Sequence, residues 1–196
     1  MCRSNMYRIN EIFLSLQGEG FHTGTTSVFI RFAGCNLHCP FCDTDFSQFT
    51  LCSTEDICQQ VVSLIRMRES LPAQSILIVL TGGEPSLQVD EELLYALHTV
   101  ARTVCIETNG THPLPDGIDW VTCSPKEGSS VVLPKADEVK VVYTGQDVDR
   151  WRSQIASKHY FLQPCSCQNT AETIAYIEQH PEWRLSLQTH KLLGIQ

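Results

Sequence analysis

The chain reads as an α/β protein: one domain over residues 1–196, folded as an incomplete (partial) TIM-like βα barrel of about six parallel strands. Three observations lead there. Short β-branched or aromatic runs alternate with stretches of helical periodicity, the pattern of right-handed βαβ units around a parallel sheet. The length of 196 residues suits one hydrophobic core. It falls short of the ~250 residues of a full eightfold barrel, so a partial barrel fits better, with a flat doubly wound sheet as the other arrangement. Finally, the motifs AGC, TGGEP, ETNG, SPK and QPC all stand at the carboxyl ends of expected strands, where either design places its site.

The elements follow in order. SVFIRFAG (27–34) is a strand, and a cysteine-rich loop follows it. STEDICQQVVSLIRM, from Ser53 or Thr54, opens like a capping box and continues with apolar residues at helical spacing. SILIVLTGG (75–83) is a continuous apolar strand, and DEELLYALHTV (90–100) an amphipathic helix. TVCIETNG (103–110), WVTCSPK (120–126), DEVKVVY (137–143) and HYFLQPC (159–165) are further strands, with a short helix near 148–156. NTAETIAYIEQH (169–180) is a helix capped by Asn169, and WRLSLQTH (183–190) a last strand.

Charge and composition exclude several functions. Fourteen basic against 22 acidic residues give a net charge of −8, with no Lys/Arg cluster to neutralise a phosphate backbone, so no nucleic-acid partner is expected. No apolar run approaches the ~20 residues that span a bilayer. MCRSNMYRINEIF lacks the apolar centre of a secretory signal, so no membrane partner and a cytoplasmic location are expected. In that reducing compartment ten cysteines are metal ligands or core thiols rather than a disulfide framework. The isolated Cys2, Cys52, Cys58, Cys105 and Cys123 read as small apolar residues.

The loop GCNLHCPFCDT (34–44) carries Cys35, Cys39 and Cys42 in C-x3-C-x2-C spacing. Three chemistries compete. Structural zinc wants a closed set of four ligands, and Cys165 and Cys167, spaced C-x-C, make a poor second pair. A thioredoxin-like CPFC leaves Cys35 without a role. An iron–sulfur cluster held by three thiolates keeps one iron open for a substrate or cosubstrate.

That triplet after a strand, with Phe41 before the third cysteine, resembles the signature of the radical S-adenosylmethionine (SAM) superfamily. The resemblance implies a [4Fe–4S] cluster on Cys35, Cys39 and Cys42, with the amino and carboxylate groups of SAM on the unique iron. Reductive cleavage of SAM then gives a 5′-deoxyadenosyl radical that abstracts a substrate hydrogen. It also implies SAM contacts from Phe41, Cys42 and Asp43, from Gly83 and Glu84 of TGGEP, from Asn109 of ETNG and from Ser124, Pro125 and Lys126 of SPK. Gln163, Pro164, Cys165 and Ser166 of QPCS would approach the adenine. Cys165 and Cys167 have no role of their own in this picture.

IFLSLQGEGFHTG (12–24), FIRFAGC, CDT after the third cysteine and LQTHKLLGIQ at the end are together similar to the 7-carboxy-7-deazaguanine synthase family. The resemblance implies conversion of 6-carboxy-5,6,7,8-tetrahydropterin to 7-carboxy-7-deazaguanine with loss of ammonia, in the route to 7-deazapurines such as queuosine. It implies Mg²⁺ on Thr44, a homodimer and an external, flavodoxin-like electron donor. Substrate contacts would come from Leu16, Gln17, Gly18, Glu19, Arg31, Thr81, His190 and the terminal carboxylate of Gln196. Glu19 suits the aminopyrimidine N–H pair. Arg31, a charge in the middle of an apolar strand, needs a partner and would take the substrate carboxylate. The rivals are another small radical SAM enzyme, such as a glycyl-radical activase, and a non-enzymatic zinc-binding module.

Overall fold

The computed structural model describes residues 5–42, 44–45, 47–68 and 75–196. Among these residues nine strands form one sheet in the order β3-β1-β2-β4-β5-β6-β7-β8-β9, with β3 and β9 at its edges. They are β1 (Met6–Leu16), β2 (Thr26–Phe32), β3 (Thr50–Ser53), β4 (Leu77–Gly82), β5 (Thr103–Thr108), β6 (Trp120–Cys123), β7 (Glu138–Tyr143), β8 (His159–Pro164) and β9 (Arg184–Leu185). From β2 through β4 to β9 all neighbours are parallel, whereas β1 runs antiparallel to β2 and β3. The helices are α1 (Thr54–Arg66), α2 (Glu91–His98), α3 (Asp149–Gln154), α4 (Thr170–Gln179) and α5 (Thr189–Leu193).

The sequence accounts for most of these elements. Ser53 caps α1 in a reciprocal capping box with Asp56, and Ile57, Val61 and Ile65 recur at one-turn spacing on its buried face. Asp90 caps α2 by accepting from Leu93 N at 2.9 Å, and Leu93, Leu94 and Leu97 are buried. Each fully buried aliphatic side chain of this kind stabilises the fold by ~1.5–3 kcal/mol.

Strand alternation divides the chain into an outer core and an inner face. Val28, Ile30 and Phe32 of β2, Ile78 and Leu80 of β4, and Val104 and Ile106 of β5 pack outward under α1 and α2. Val139 and Val141 of β7 and Leu162 of β8 do the same in a second core with Trp151 and Trp183. The inner residues form two layers. The lower is apolar: Phe13, Phe29, Leu77, Val79 and Cys105. The upper is polar: Arg31, Thr81, Glu107, Lys140 and Gln163, all lining one cavity. Arg31 and Thr81 are direct partners in the β2–β4 register.

Four expectations need correction. No element is expected before Ser27 in sequence, yet Met6–Leu16 form the eleven-residue strand β1. Thr50–Ser53, where the sequence places only Ser53 in an element and then as a helix start, is the strand β3. The last strand is only Arg184–Leu185; residues 189–193 turn into α5, so His190 sits on a helix. Asn169 holds the N-cap position of α4 but makes no side-chain cap bond: its Oδ1 accepts from Cys165 N (2.8 Å) and its Nδ2 donates to Tyr143 O (2.9 Å), pinning the end of β8 instead.

Candidate active site

A cavity of about 490 Å³ opens at the carboxyl edge of the parallel strands. One wall is the cysteine loop. Gly83 N donates to Phe32 O (2.9 Å) and Glu84 N to Gly34 O (2.8 Å), clamping the start of that loop to the TGGEP turn. A Cβ at Gly83 would overlap the Gly34 carbonyl, and Gly82 has φ +126°, so both glycines are required by this close approach. Asn36 ties the loop to the end of β5, donating to Thr111 Oγ1 (2.7 Å) and accepting from Asn109 Nδ2 (3.0 Å). Cys35, Cys39, Phe41, Cys42 and Thr44 all line the cavity; Asp43 lies outside the described residues.

The donor set suits a thiolate-held metal group. Cys35 and Cys39 are half-buried, Cys42 is exposed, and all described cysteines are free. Burial raises the Cys35 thiol above its usual pKa, with Glu84, Cys39 and Cys42 adding to the shift. A bound metal reverses that balance by deprotonating its ligands. The three thiols are one short of a closed set. By contrast, Cys105 and Cys123 are buried and pushed up to about 12, as inert core thiols should be, and Cys52 is buried as well.

The other expected SAM contacts divide. Gly83, Asn109, Ser124, Lys126, Gln163, Pro164, Cys165 and Ser166 line the same cavity. Lys126 Nζ donates to Ser124 Oγ (2.7 Å), and burial pulls its pKa below the lysine norm. Pro125 is buried and does not line the cavity. Glu84 is 1% exposed and is no lining residue either. Its carboxylate accepts from Ser86 N (3.1 Å), Ser86 Oγ (2.6 Å), Thr108 Oγ1 (2.6 Å) and Asn109 N (2.7 Å). It braces the ends of β4 and β5 from beneath.

The opposite end holds the expected substrate residues Leu16, Gln17, Gly18, Glu19, Arg31, Thr81, His190 and Gln196. Thr189 N and Oγ1 both donate to Gly18 O (3.0 Å each), docking α5 on the loop after β1. His190 then lies so close that a Cβ on Gly18 would overlap its ring. Arg31 Nε pairs with Glu11 Oε1 at 2.8 Å, and Gln196 Nε2 donates to Glu11 Oε2 at 2.6 Å. Glu11 thus links Gln196 to Arg31 at the cavity wall.

Among the lining residues that the sequence did not single out are Glu107, Lys140 and Gln188. Lys140 forms ion pairs with Glu19 and with Glu107 (3.4 Å). Gln188 Nε2 and Gln163 Nε2 donate to Glu19 Oε1 at 3.0 and 3.2 Å. Burial alone would raise the Glu19 carboxyl, but the Lys140 charge and hydrogen bonds from Lys140 and Gln188 bring it down to about 2. Burial likewise opposes the Lys140 charge, yet Glu107, Glu19 and Glu138 hold its pKa above the lysine norm. The signal was available: a lysine inside DEVKVVY poses the same burial problem as Arg31 inside VFIRFAG.

A mostly parallel α/β sheet with three thiols on the loop after its first parallel strand, facing a polar chamber, defines the class of the radical SAM enzymes, which work with a [4Fe–4S] cluster and SAM. The Radical SAM superfamily pattern matches residues 29–143. The 7-carboxy-7-deazaguanine synthase of Bacteroides thetaiotaomicron is 54% identical over 191 residues, covering 97% of this chain and 100% of the relative. That of Bradyrhizobium diazoefficiens is 43% identical over 208 residues, covering 97% and 99%. The crystal structure of QueE from Escherichia coli superimposes with a TM-score of 0.73 at 28% identity, covering 93% of each chain. The chain belongs to the 7-carboxy-7-deazaguanine synthase family, whose members are lyases.

Proposed function

We propose that this chain converts 6-carboxy-5,6,7,8-tetrahydropterin to 7-carboxy-7-deazaguanine with loss of ammonia, within one radical SAM core domain folded as a partial βα barrel. The observation that carries the reading is the single cavity that joins the cysteine triplet at one end to Arg31 and Glu19 at the other. Cys35, Cys39 and Cys42 would hold the cluster. When bound, cluster and SAM supply the radical that takes a substrate hydrogen, and the protein positions and shields that chemistry.

The chain's own residues do the positioning. Ser124 and Lys126 offer a hydroxyl and a cation to the ribose and carboxylate of SAM, with Asn109 and the Gln163–Ser166 segment around them. Arg31 is the fork for the substrate carboxylate, which would displace Glu11 from it. Glu19 accepts from the aminopyrimidine edge, while Gly18 and Thr81 let the ring lie close. Thr44 offers a hard oxygen for Mg²⁺ beside that carboxylate. His190 and Gln196 close the chamber.

We also infer a cytoplasmic homodimer reduced by an external flavodoxin-like donor. No helix of the described residues is long and apolar enough to cross a membrane. The decisive experiment uses anaerobically purified protein with dithionite, SAM, Mg²⁺ and the carboxy-tetrahydropterin. The reading requires about four irons and four sulfides per chain, together with 7-carboxy-7-deazaguanine and ammonia in equal amounts. Cluster-loaded protein that makes neither product overturns it; sedimentation velocity tests the dimer.

A further inference from the structure

Lys140 is a buried charge that the proposed function does not use. β7 carries it into the cavity with only 5% of its side chain exposed. It bridges two acids that arrive from separate elements, Glu19 from the loop after β1 and Glu107 from β5. Each acid is otherwise held by neutral donors. Glu19 accepts from Gln163 and Gln188, and Glu107 from Gln17 Nε2 (3.1 Å) and Thr81 Oγ1 (3.3 Å). An ionised carboxylate has about four acceptor positions, so three partners leave roughly one on each acid for a ligand.

We propose that Lys140 is a positioning residue that fixes Glu19 and Glu107 as a pair of anionic acceptors, making the floor of the cavity selective for a ring edge that presents adjacent N–H donors. This rests on the substrate reading above and extends it to residues that reading left unassigned. Two carboxylates sharing a partly buried site do not both stay ionised without a cation between them. A neutral carboxylic acid would present an O–H to the ligand edge and reverse its selectivity.

The surrounding charges do not replace Lys140. Lys126, from the loop after β6, donates to Ser124. His190 approaches Glu19 from α5. Glu138, on the same strand as Lys140, accepts from Phe21 N (2.9 Å), and burial raises its pKa. His22, in the void beneath the acids, is pushed by burial toward its neutral form. Arg31 is engaged with Glu11. Removing Lys140 therefore leaves Glu19, Glu107 and Glu138 facing one another.

The test compares wild type, Lys140→Met and Lys140→Arg by two readouts. The first needs no substrate: NMR titration of ¹³C-labelled glutamate carboxyls, with Glu19→Gln assigning the resonance. In wild type and Lys140→Arg, Glu19 stays ionised throughout pH 5–9. In Lys140→Met one of the two carboxyls titrates inside that range. The second is steady-state kinetics with the carboxy-tetrahydropterin. Lys140→Met raises KM about tenfold or more at neutral pH, and its KM falls as pH rises; kcat and SAM affinity change little. Lys140→Arg keeps a pH-flat KM but raises it, because the longer fork cannot seat between the two acids. A purely structural role would not couple KM to pH. A folded Lys140→Met whose carboxyls and KM match wild type overturns the proposal. Should Lys140→Met not fold, Lys140→Arg decides: a wild-type KM, or a KM that varies with pH, overturns it. Wild type that makes no product overturns the functional reading alone, since the carboxyl titration still tests Lys140.

Discussion

The two ends of the cavity are built on opposite principles. At the thiol end, Cys35 and Cys39 are half-buried, Cys42 is exposed, and the loop is anchored by backbone contacts and the Asn36 side chain. At the other end every charge already has a partner: Lys140 with Glu19 and Glu107, Arg31 with Glu11. The first end suits a group that brings its own bonds and supplies the missing order on arrival. The second end is organised beforehand, so a polar ligand meets fixed donors and acceptors and loses little free energy in ordering them.

The largest expected effect tests that contrast directly. Cys39→Ala removes one of three ligands from the end that depends on them. Iron and sulfide should drop to near background and turnover by more than about a thousandfold, because the chemistry resides in the absent group. The apo chain should keep its circular dichroism and its melting temperature within ~2 °C, since a half-exposed thiol adds little to packing. A large loss of apo stability would mean that the loop is structural and would erase the contrast.

Glu84→Ala tests the brace beneath both ends. It leaves Ser86, Thr108 and Asn109 N without their shared acceptor in a site that is 1% exposed. The expected cost is ~3–5 kcal/mol, because several buried neutral donors lose their acceptor at once. For a chain of this size that lowers the melting temperature by about 10 °C. If stability holds while SAM affinity falls, Glu84 touches SAM after all.

Arg31→Met sharpens the ligand end. It should raise KM for the carboxy-tetrahydropterin by ~10–100-fold while leaving cluster content and SAM affinity as they were. An equal loss of SAM affinity would show that the two ends are not separable in this way.

The difference between the ends also governs what the sequence revealed. Motif residues were legible because cysteines, glycines and prolines constrain the backbone locally: C-x3-C-x2-C, TGGEP and the Ser53 capping box all appear where expected. Glu107 and Lys140 were not, because their role exists only when strands distant in sequence place them on the same face. Burying a charge inside VKV is a signal, but the partner's identity depends on register. β1 was overlooked because Asn10 and Glu11 interrupt its apolar alternation; its pairing slips between Ile9 and Glu11. The last expected strand runs two residues into α5, to His190, because five residues cannot establish a helical period, and tertiary contact with Gly18 holds the helix.

Acid should distinguish the ends further. Glu19 falls from an ordinary 4.5 to about 2 in the folded protein. A depressed carboxylate contributes stability that is complete above its unfolded pKa and is lost as pH falls through the folded value. Its contribution should be constant above pH 4.5 and decline between 4.5 and about 2. Comparing wild type with Glu19→Gln by chemical denaturation across that window isolates it: the difference in stability should shrink as pH falls. A difference that grows toward low pH would show that Lys140 does not hold Glu19 ionised.

The smallest expected effect lies outside the cavity and acts as its control. Ser53 accepts from Asp56 N (3.2 Å) and Asp56 accepts from Ser53 N (2.9 Å), closing the first turn of α1 on the far side of the outer core. Ser53→Ala removes one half of that exchange and should cost about 1 kcal/mol, a few degrees in melting temperature. The Ile57, Val61 and Ile65 face stays packed, so α1 keeps its place. Cluster content, KM and the carboxyl titration should all equal wild type, because nothing in α1 reaches the site. A change in any of them would mean that general loosening of the fold is enough to disturb either end, and the Cys39, Arg31 and Lys140 effects would then have to be measured against that baseline.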